Sequence, residues 1–221
     1  GFKLPELGLG TYGIGGRRER DSSRDSEWVA LLKKAMSFGY SHIDTAFVYG
    51  EGHAEELLGE ALKGEERQKF MIATKVPAPE LAHDNFILSA KTSMNRLGVE
   101  YVDLLYIHAP NPDIPLQDTM RAMDELVAEG LVRNIAVSNF SVELLKEAQS
   151  YTKNKIVANQ IEFSLKIREE GHHSGCAKME SEIVPYCQEN DILVVAYRPV
   201  ERGAVLVPNP LMDELSKKYA R

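Results

Sequence analysis

The sequence predicts an α/β fold, a parallel (β/α)8 TIM-type barrel whose eighth βα unit is missing from this chain. Three observations predict it. Short apolar runs alternate with longer helix-like segments seven times along 221 residues. The apolar runs (MIAT, VDLLYI, IAVS, LVVAY) are nearly continuous, as in strands covered on both faces. No shift in composition divides the chain, so residues 1–221 read as one barrel domain, expected to be C-terminally incomplete.

The first strand, 7–11, runs into the glycine-rich GLGTYGIGG. No helix opens directly on those glycines, which disfavours a doubly wound dinucleotide-binding sheet. In the first helix Trp28, Leu31, Leu32, Ala35 and Met36 fall at i, i+3, i+4, i+7 and i+8, with Ser26 as N-cap and Gly39 as stop. Trp28 is therefore expected in the core. The second strand, 42–45, begins at His42, expected to make a structural hydrogen bond. The helix at 54–62 follows, with His53 expected as a cap or surface residue.

The third strand is 70–75 and its helix 84–97, closed by Gly98. The fourth is 102–108, where Tyr101 and Tyr106 read as packing residues, followed by a helix at 116–129 and Gly130. The fifth pair is 135–138 and 141–149. The sixth strand, 157–162, leads through the polar KIREEGHHSGCAK at 166–178 to a helix at 179–190. There Pro185 suits the first turns and Cys187 a buried, inert thiol. The seventh pair is 193–197 and 210–220. Without an eighth strand, the first and seventh would be left with free edges.

Composition bounds the function. With 43% hydrophobic and 27% charged residues, the chain has enough length for one large core. A net charge of −7 argues against nucleic acid or an anionic membrane as the main partner. The cluster Arg17, Arg18 and Arg20 is diluted by Glu19 and Asp21 and reads as a solvated loop rather than an anion-binding flap. Two cysteines are too few for a disulfide framework and point to a reducing, cytoplasmic setting. No apolar run or leader suggests a membrane or secretory route.

In a parallel barrel, chemistry collects at the C-terminal ends of the strands. Asp44 ends the second strand, with Tyr49 in the loop behind it. Lys75 ends the third and His108 the fourth. One such residue means little, but four on three adjacent strands point to a site. A lysine ammonium about 4 Å from a phenol oxygen favours the phenolate by about 4 kcal/mol at an effective dielectric near 20. That predicts a Tyr49 pKa lowered by up to about three units. Asp44 would hold Lys75 charged and aimed, Tyr49 would protonate a developing alkoxide, and His108 would orient the carbonyl oxygen.

The stretches HIDTAFVYGEGHAEELLGEAL, FMIATKV, YVDLLYIHAP, AVSNFS, NQIEFSL and AYRPVERG resemble, in order, those of the aldo-keto reductases. The resemblance implies an (α/β)8 barrel that reduces aldehydes and ketones without a metal. Its cofactor is usually NADP(H), with NAD(H) left open here. It maps a catalytic tetrad onto Asp44, Tyr49, Lys75 and His108. It assigns the nicotinamide carboxamide to Ser138, Asn139 and Gln160, ring stacking to Tyr197, the floor beside the ring to Gly10, Thr11 and Tyr12, and a cofactor contact to Asp44 as well. It also implies a small-molecule carbonyl substrate, and a monomer where the barrel is complete.

Three departures stand out. Arg198 replaces a frequent serine at the pyrophosphate loop, and either phosphate binding or an ion pair with a nearby acid suits it. Residues 166–178 form a longer, polar loop. It reads as flexible surface rather than a metal site of His172, His173 and Cys176, which lacks a fourth ligand. The segment that usually carries basic residues for the adenosine 2′-phosphate is not present. Two other functions compete with carbonyl reduction: a cofactor-binding regulatory relative with little turnover, and an aldolase using Lys75 as a Schiff base.

Overall fold

In the computed structural model, which describes residues 2–207 and 210–219, seven parallel strands lie side by side in chain order. They are β1 (Gly8–Gly10), β2 (His42–Asp44), β3 (Met71–Val76), β4 (Leu104–Ile107), β5 (Ile135–Ser138), β6 (Ile156–Glu162) and β7 (Leu193–Tyr197). The helices between and after them are α1 (Asp25–Ser37), α2 (His53–Leu62), α3 (His83–Leu97), α4 (Leu116–Ala128), α5 (Val142–Ser150), α6 (Val184–Glu189) and α7 (Pro210–Tyr219). The predicted elements are all present, with strand limits shifted by a residue or two. Position 220 of the last expected helix lies outside the described residues.

Strand alternation builds two cores. Ile43, Ile72, Leu105 and Val137 point outward into a core shared with the helices. Ala73, Leu104, Tyr106, Ala136 and Ala158 point inward and pack with Phe2 and Leu4 and with Leu193 and Val195. Residues before β1 and residues of β7 thus meet on one concave face, so the sheet is curled as a barrel requires. Among the described residues no pairing joins β1 to β7.

Five local expectations are corrected. Helix α1 starts at Asp25 behind Arg24, without a side-chain cap from Ser26; Asp25 and Glu27 supply first-turn negative charge instead. Leu31 is half exposed. Trp28 is only partly buried at the edge of the core, with the Arg24 guanidinium 4.8 Å from its ring. His53 is buried rather than superficial: its Nε2 meets Asp25 at 2.8 Å and its Nδ1 meets Glu56 at 2.9 Å, tying α2 to α1. His42 is buried, but its Nε2 has no hydrogen-bond partner.

Tyr106 is fully buried, and Tyr101 lies between the guanidiniums of Arg67 and Arg133, at 4.2 and 3.8 Å, so both pack as expected. Burial pushes the Cys187 thiol up to about 11, which keeps it unreactive. Among the described residues, no helix is long and apolar enough to cross a membrane.

Candidate active site

The C-terminal strand ends bring Asp44, Tyr49, Lys75 and His108 together. In register, Asp44 lies beside Gly10 on one side and Ala73 on the other, and Lys75 lies beside Tyr106. The Lys75 ammonium, fully buried, donates to Asp44 Oδ1 and to the Thr45 carbonyl at 2.8 Å. It sits 5.3 Å from the centre of the Tyr49 ring. Tyr49 is edge-on to His108, with ring centres 5.8 Å apart, and to Tyr12 at 5.2 Å.

The electrostatics differ from expectation at one point. Tyr49 has its pKa raised, not lowered: burial is the largest effect, and the charge of Asp44 adds to it, so together they outweigh the pull of Lys75. The phenol is therefore protonated across the neutral range, the form that donates. Burial also opposes the charge on Lys75, but Asp44 and Tyr49 outweigh it and raise its pKa. His108 is pushed down to about 3 by burial and by Lys75, so its imidazole is neutral.

The loop that carries Tyr49 is braced from behind by residues that no motif singled out. Arg96 on α3 donates to the Phe47 carbonyl at 3.2 Å and stacks 4.5 Å from the Phe47 ring. It also meets Glu55 at 3.3 Å. Glu55 is fully buried on α2 and accepts from Thr74 Oγ1 at 2.6 Å. Gly52 has φ 91°, and a Cβ there would lie 2.2 Å from the guanidinium carbon of Arg96. Glycine is what lets the loop and the arginine approach so closely. The one sequence signal was an acid on the apolar face of HAEELLG.

The expected cofactor residues other than Thr11 line the same cavity of about 1170 Å³, with differing freedom. A Cβ on Gly10 would meet nothing within 4 Å, so the floor beside Asp44 is flat and open. Thr11 is buried behind it, and Tyr12 is half exposed at the rim. Gln160 donates to Asp44 Oδ2 at 2.9 Å, leaving its own Oε1 without a partner among the described residues. Ser138 donates to the Gln160 carbonyl at 2.9 Å.

Asn139 is saturated. Its Nδ2 donates to the His108 carbonyl and to Ser138 Oγ, both at 3.0 Å. Its Oδ1 accepts from Tyr197 at 2.9 Å and from Cys176 at 3.1 Å. A planar amide-bearing ring fits this donor and acceptor set at the Gly10 floor and at Gln160 Oε1. At Asn139 it must displace a partner.

The loop at 166–178 is not free surface, contrary to expectation. Gly175 and Cys176 are buried, and a Cβ on Gly175 would fall 1.7 Å from the Asn139 carbonyl oxygen. Such contact requires glycine, which explains the tight seating of the loop on β5. His173 lines the cavity. His172 bonds instead to Glu162, through its N–H at 2.7 Å and its Nδ1 at 2.9 Å. Arg198 takes the ion-pair alternative, with Nη1 2.8 Å from Glu162 Oε1. Burial opposes the charge on Glu162, but the donors from His172 and Arg198 outweigh it and hold its pKa below the ordinary value. Among the described residues, no cluster of three or more His, Cys, Asp or Glu is placed to hold a metal ion.

The model of the Aldo/keto reductase family matches residues 6–214. Probable aldo-keto reductase 1 of Glycine max is 35% identical over 92% of this chain and 58% of its own length. Methylglyoxal reductase YeaE of Escherichia coli is 30% identical over 98% of this chain and 72% of its own. Of solved structures, the thermostable aldo-keto reductase Tm1743 with the inhibitor epalrestat aligns at TM-score 0.88 and 40% identity, over 100% of this chain and 78% of that one. An aldo/keto reductase of Klebsiella pneumoniae with NADP and acetate aligns at TM-score 0.84 and 29% identity, over 98% and 73%. The chain thus spans 58% of the length of the soybean relative.

Proposed function

The chain belongs to the aldo/keto reductase family, and from that premise we propose that it takes part in NAD(P)H-dependent reduction of aldehydes or ketones to alcohols. The observation that carries the reading is the contact set Asp44–Lys75–Tyr49–His108 at one end of the barrel. The Klebsiella relatives with NADP and NADPH support the choice of nucleotide. When bound, the nucleotide supplies a hydride.

The chain's own residues do the rest. Gly10 leaves room for a flat ring beside Asp44. Gln160 Oε1 would accept from the carboxamide, Asn139 would exchange one of its internal partners for it, and Tyr197 would hold the nicotinamide ring. Tyr49, protonated at neutral pH, gives its hydroxyl proton to the carbonyl oxygen as negative charge develops there. Lys75 is placed to stabilise the phenolate left behind, and Asp44 offsets the cost of burying that ammonium. The neutral His108 ring orients the same oxygen by hydrogen bonding.

The Schiff-base alternative needs a lysine that loses its proton readily. Lys75, buried against Asp44 with a raised pKa, is the opposite. The test is a fluorescence titration of the chain with NADPH, followed by assay of a reactive aldehyde. Micromolar binding with turnover supports reduction. Firm binding without turnover supports the regulatory alternative, and failure to bind overturns the reading for this chain.

A further inference from the structure

The loop between β1 and α1 puts two arginines at the mouth of the candidate site. Arg17 and Arg18 line the cavity together with Tyr12, Val48 and Tyr49. Their neighbour Arg20 is satisfied, with its two terminal guanidinium nitrogens on Glu56 at 2.7 and 3.2 Å. Arg17 and Arg18 have no side-chain hydrogen bond or ion pair among the described residues. In a chain of net charge −7, two uncompensated cations beside one cleft call for an explanation.

The loop is held where it is by close backbone contacts. Gly50, the residue after Tyr49, donates its N–H to the Arg17 carbonyl at 3.3 Å. A Cβ on Gly50 would lie 2.4 Å from the Gly15 carbonyl oxygen. Asp21 N–H returns to the Gly15 carbonyl at 2.9 Å, closing the turn. The arginine backbone is therefore fixed against the segment that carries the proposed proton donor. The other charges on the wall do not cancel the pair. Asp44 is matched by Lys75 and Arg198 by Glu162. Glu6 is the other acid on the cavity wall among the described residues, and it sits ahead of β1 with Leu4 and Pro5.

We infer that Arg17 and Arg18 are specificity-determining residues for a carbonyl substrate that carries a carboxylate. The half-exposed Tyr12 and Val48 offer an apolar wall for the body of the substrate. The two guanidiniums offer paired N–H donors for its anionic end. Exposed ion pairs are weak in water, but a substrate seated in the cleft excludes water from both partners and strengthens the pairing. This inference rests on the reductase reading, because it takes Tyr49 to mark the reacting end.

The probes are 4-carboxybenzaldehyde and benzaldehyde, compared by kcat/KM in the unaltered chain, in an Arg17→Gln/Arg18→Gln double variant and in Arg17→Lys/Arg18→Lys. The unaltered chain is expected to prefer the carboxylated aldehyde by about tenfold or more. The double glutamine variant should lose most of that preference, and the double lysine variant should keep part of it. Salt at about 0.5 M should shrink it. A preference near unity in the unaltered chain, or one unchanged by the glutamines, overturns the assignment. So does a glutamine variant that loses NADPH affinity while the aldehyde ratio stays the same, since the pair would then serve cofactor phosphate. The ratio of dissociation constants for the two aldehydes, read by ligand-observed NMR, needs no turnover. If neither aldehyde is reduced, the reductase reading fails, and that binding ratio alone decides whether the arginines select the carboxylate.

Discussion

Tyr197 donates its hydroxyl to Asn139 Oδ1 at 2.9 Å, tying the end of β7 to the end of β5 across the candidate site. The bond occupies an acceptor that a nicotinamide carboxamide would need. Tyr197→Phe keeps the ring and removes the competitor. The free chain is expected to lose about 1 kcal/mol of stability, the worth of one hydrogen bond. NADPH affinity should hold or rise severalfold. Weaker NADPH binding in a fluorescence titration would show that the hydroxyl itself serves the cofactor.

Asp44 and Lys75 form a buried pair whose members depend on each other unequally. Lys75 is fully buried and Asp44 retains some contact with solvent. Asp44→Asn keeps an amide oxygen within reach of the ammonium, which also donates to the Thr45 carbonyl, but removes the negative charge that balances it. Removing one partner of a buried pair costs about 3–5 kcal/mol. The urea midpoint should fall accordingly at unchanged slope. A shift below about 1 kcal/mol would mean that Lys75 sheds its proton or its burial in the variant.

His108 sets a pH window for stability. Its pKa is about 3 in the folded chain, against an ordinary value of 6.5. Between those values the unfolded chain binds a proton that the folded chain refuses, so stability rises with pH there. The contribution is complete above about pH 6.5 and drains away as pH falls toward 3. His108→Gln should flatten the dependence of unfolding free energy on pH across that window. A residual slope is expected from His42, whose pKa burial also lowers. An unchanged slope would show that His108 takes up its proton while folded.

How much of this could be read from the sequence follows from the range of each interaction. The strands were legible because parallel strands buried on both faces leave unbroken apolar runs. The four strand-end residues stood out because each is polar against such a run. Contacts made across sequence distance were not legible. The brace of Glu55 and Arg96 behind Tyr49 joins two helices, and the seating of Gly175 and Cys176 on Asn139 joins a loop to a strand 37 positions earlier in the case of Cys176. Neither leaves a periodic trace. The direction of the Tyr49 shift was misread for a related reason: Lys75 is visible in the sequence, but the burial that outweighs it arises only when the loop packs.

If Tyr49 is the proton donor, Tyr49→Phe removes the proton and leaves the ring. In steady-state assays with NADPH and a reactive aldehyde, the variant is expected to lose about 10²–10⁴-fold in kcat. NADPH affinity, measured by fluorescence in the same preparation, should stay within about twofold, since the ring and its packing remain. A variant that binds NADPH and turns over within about tenfold of the unaltered chain would rule out Tyr49 as the donor, because the proton would then come from elsewhere.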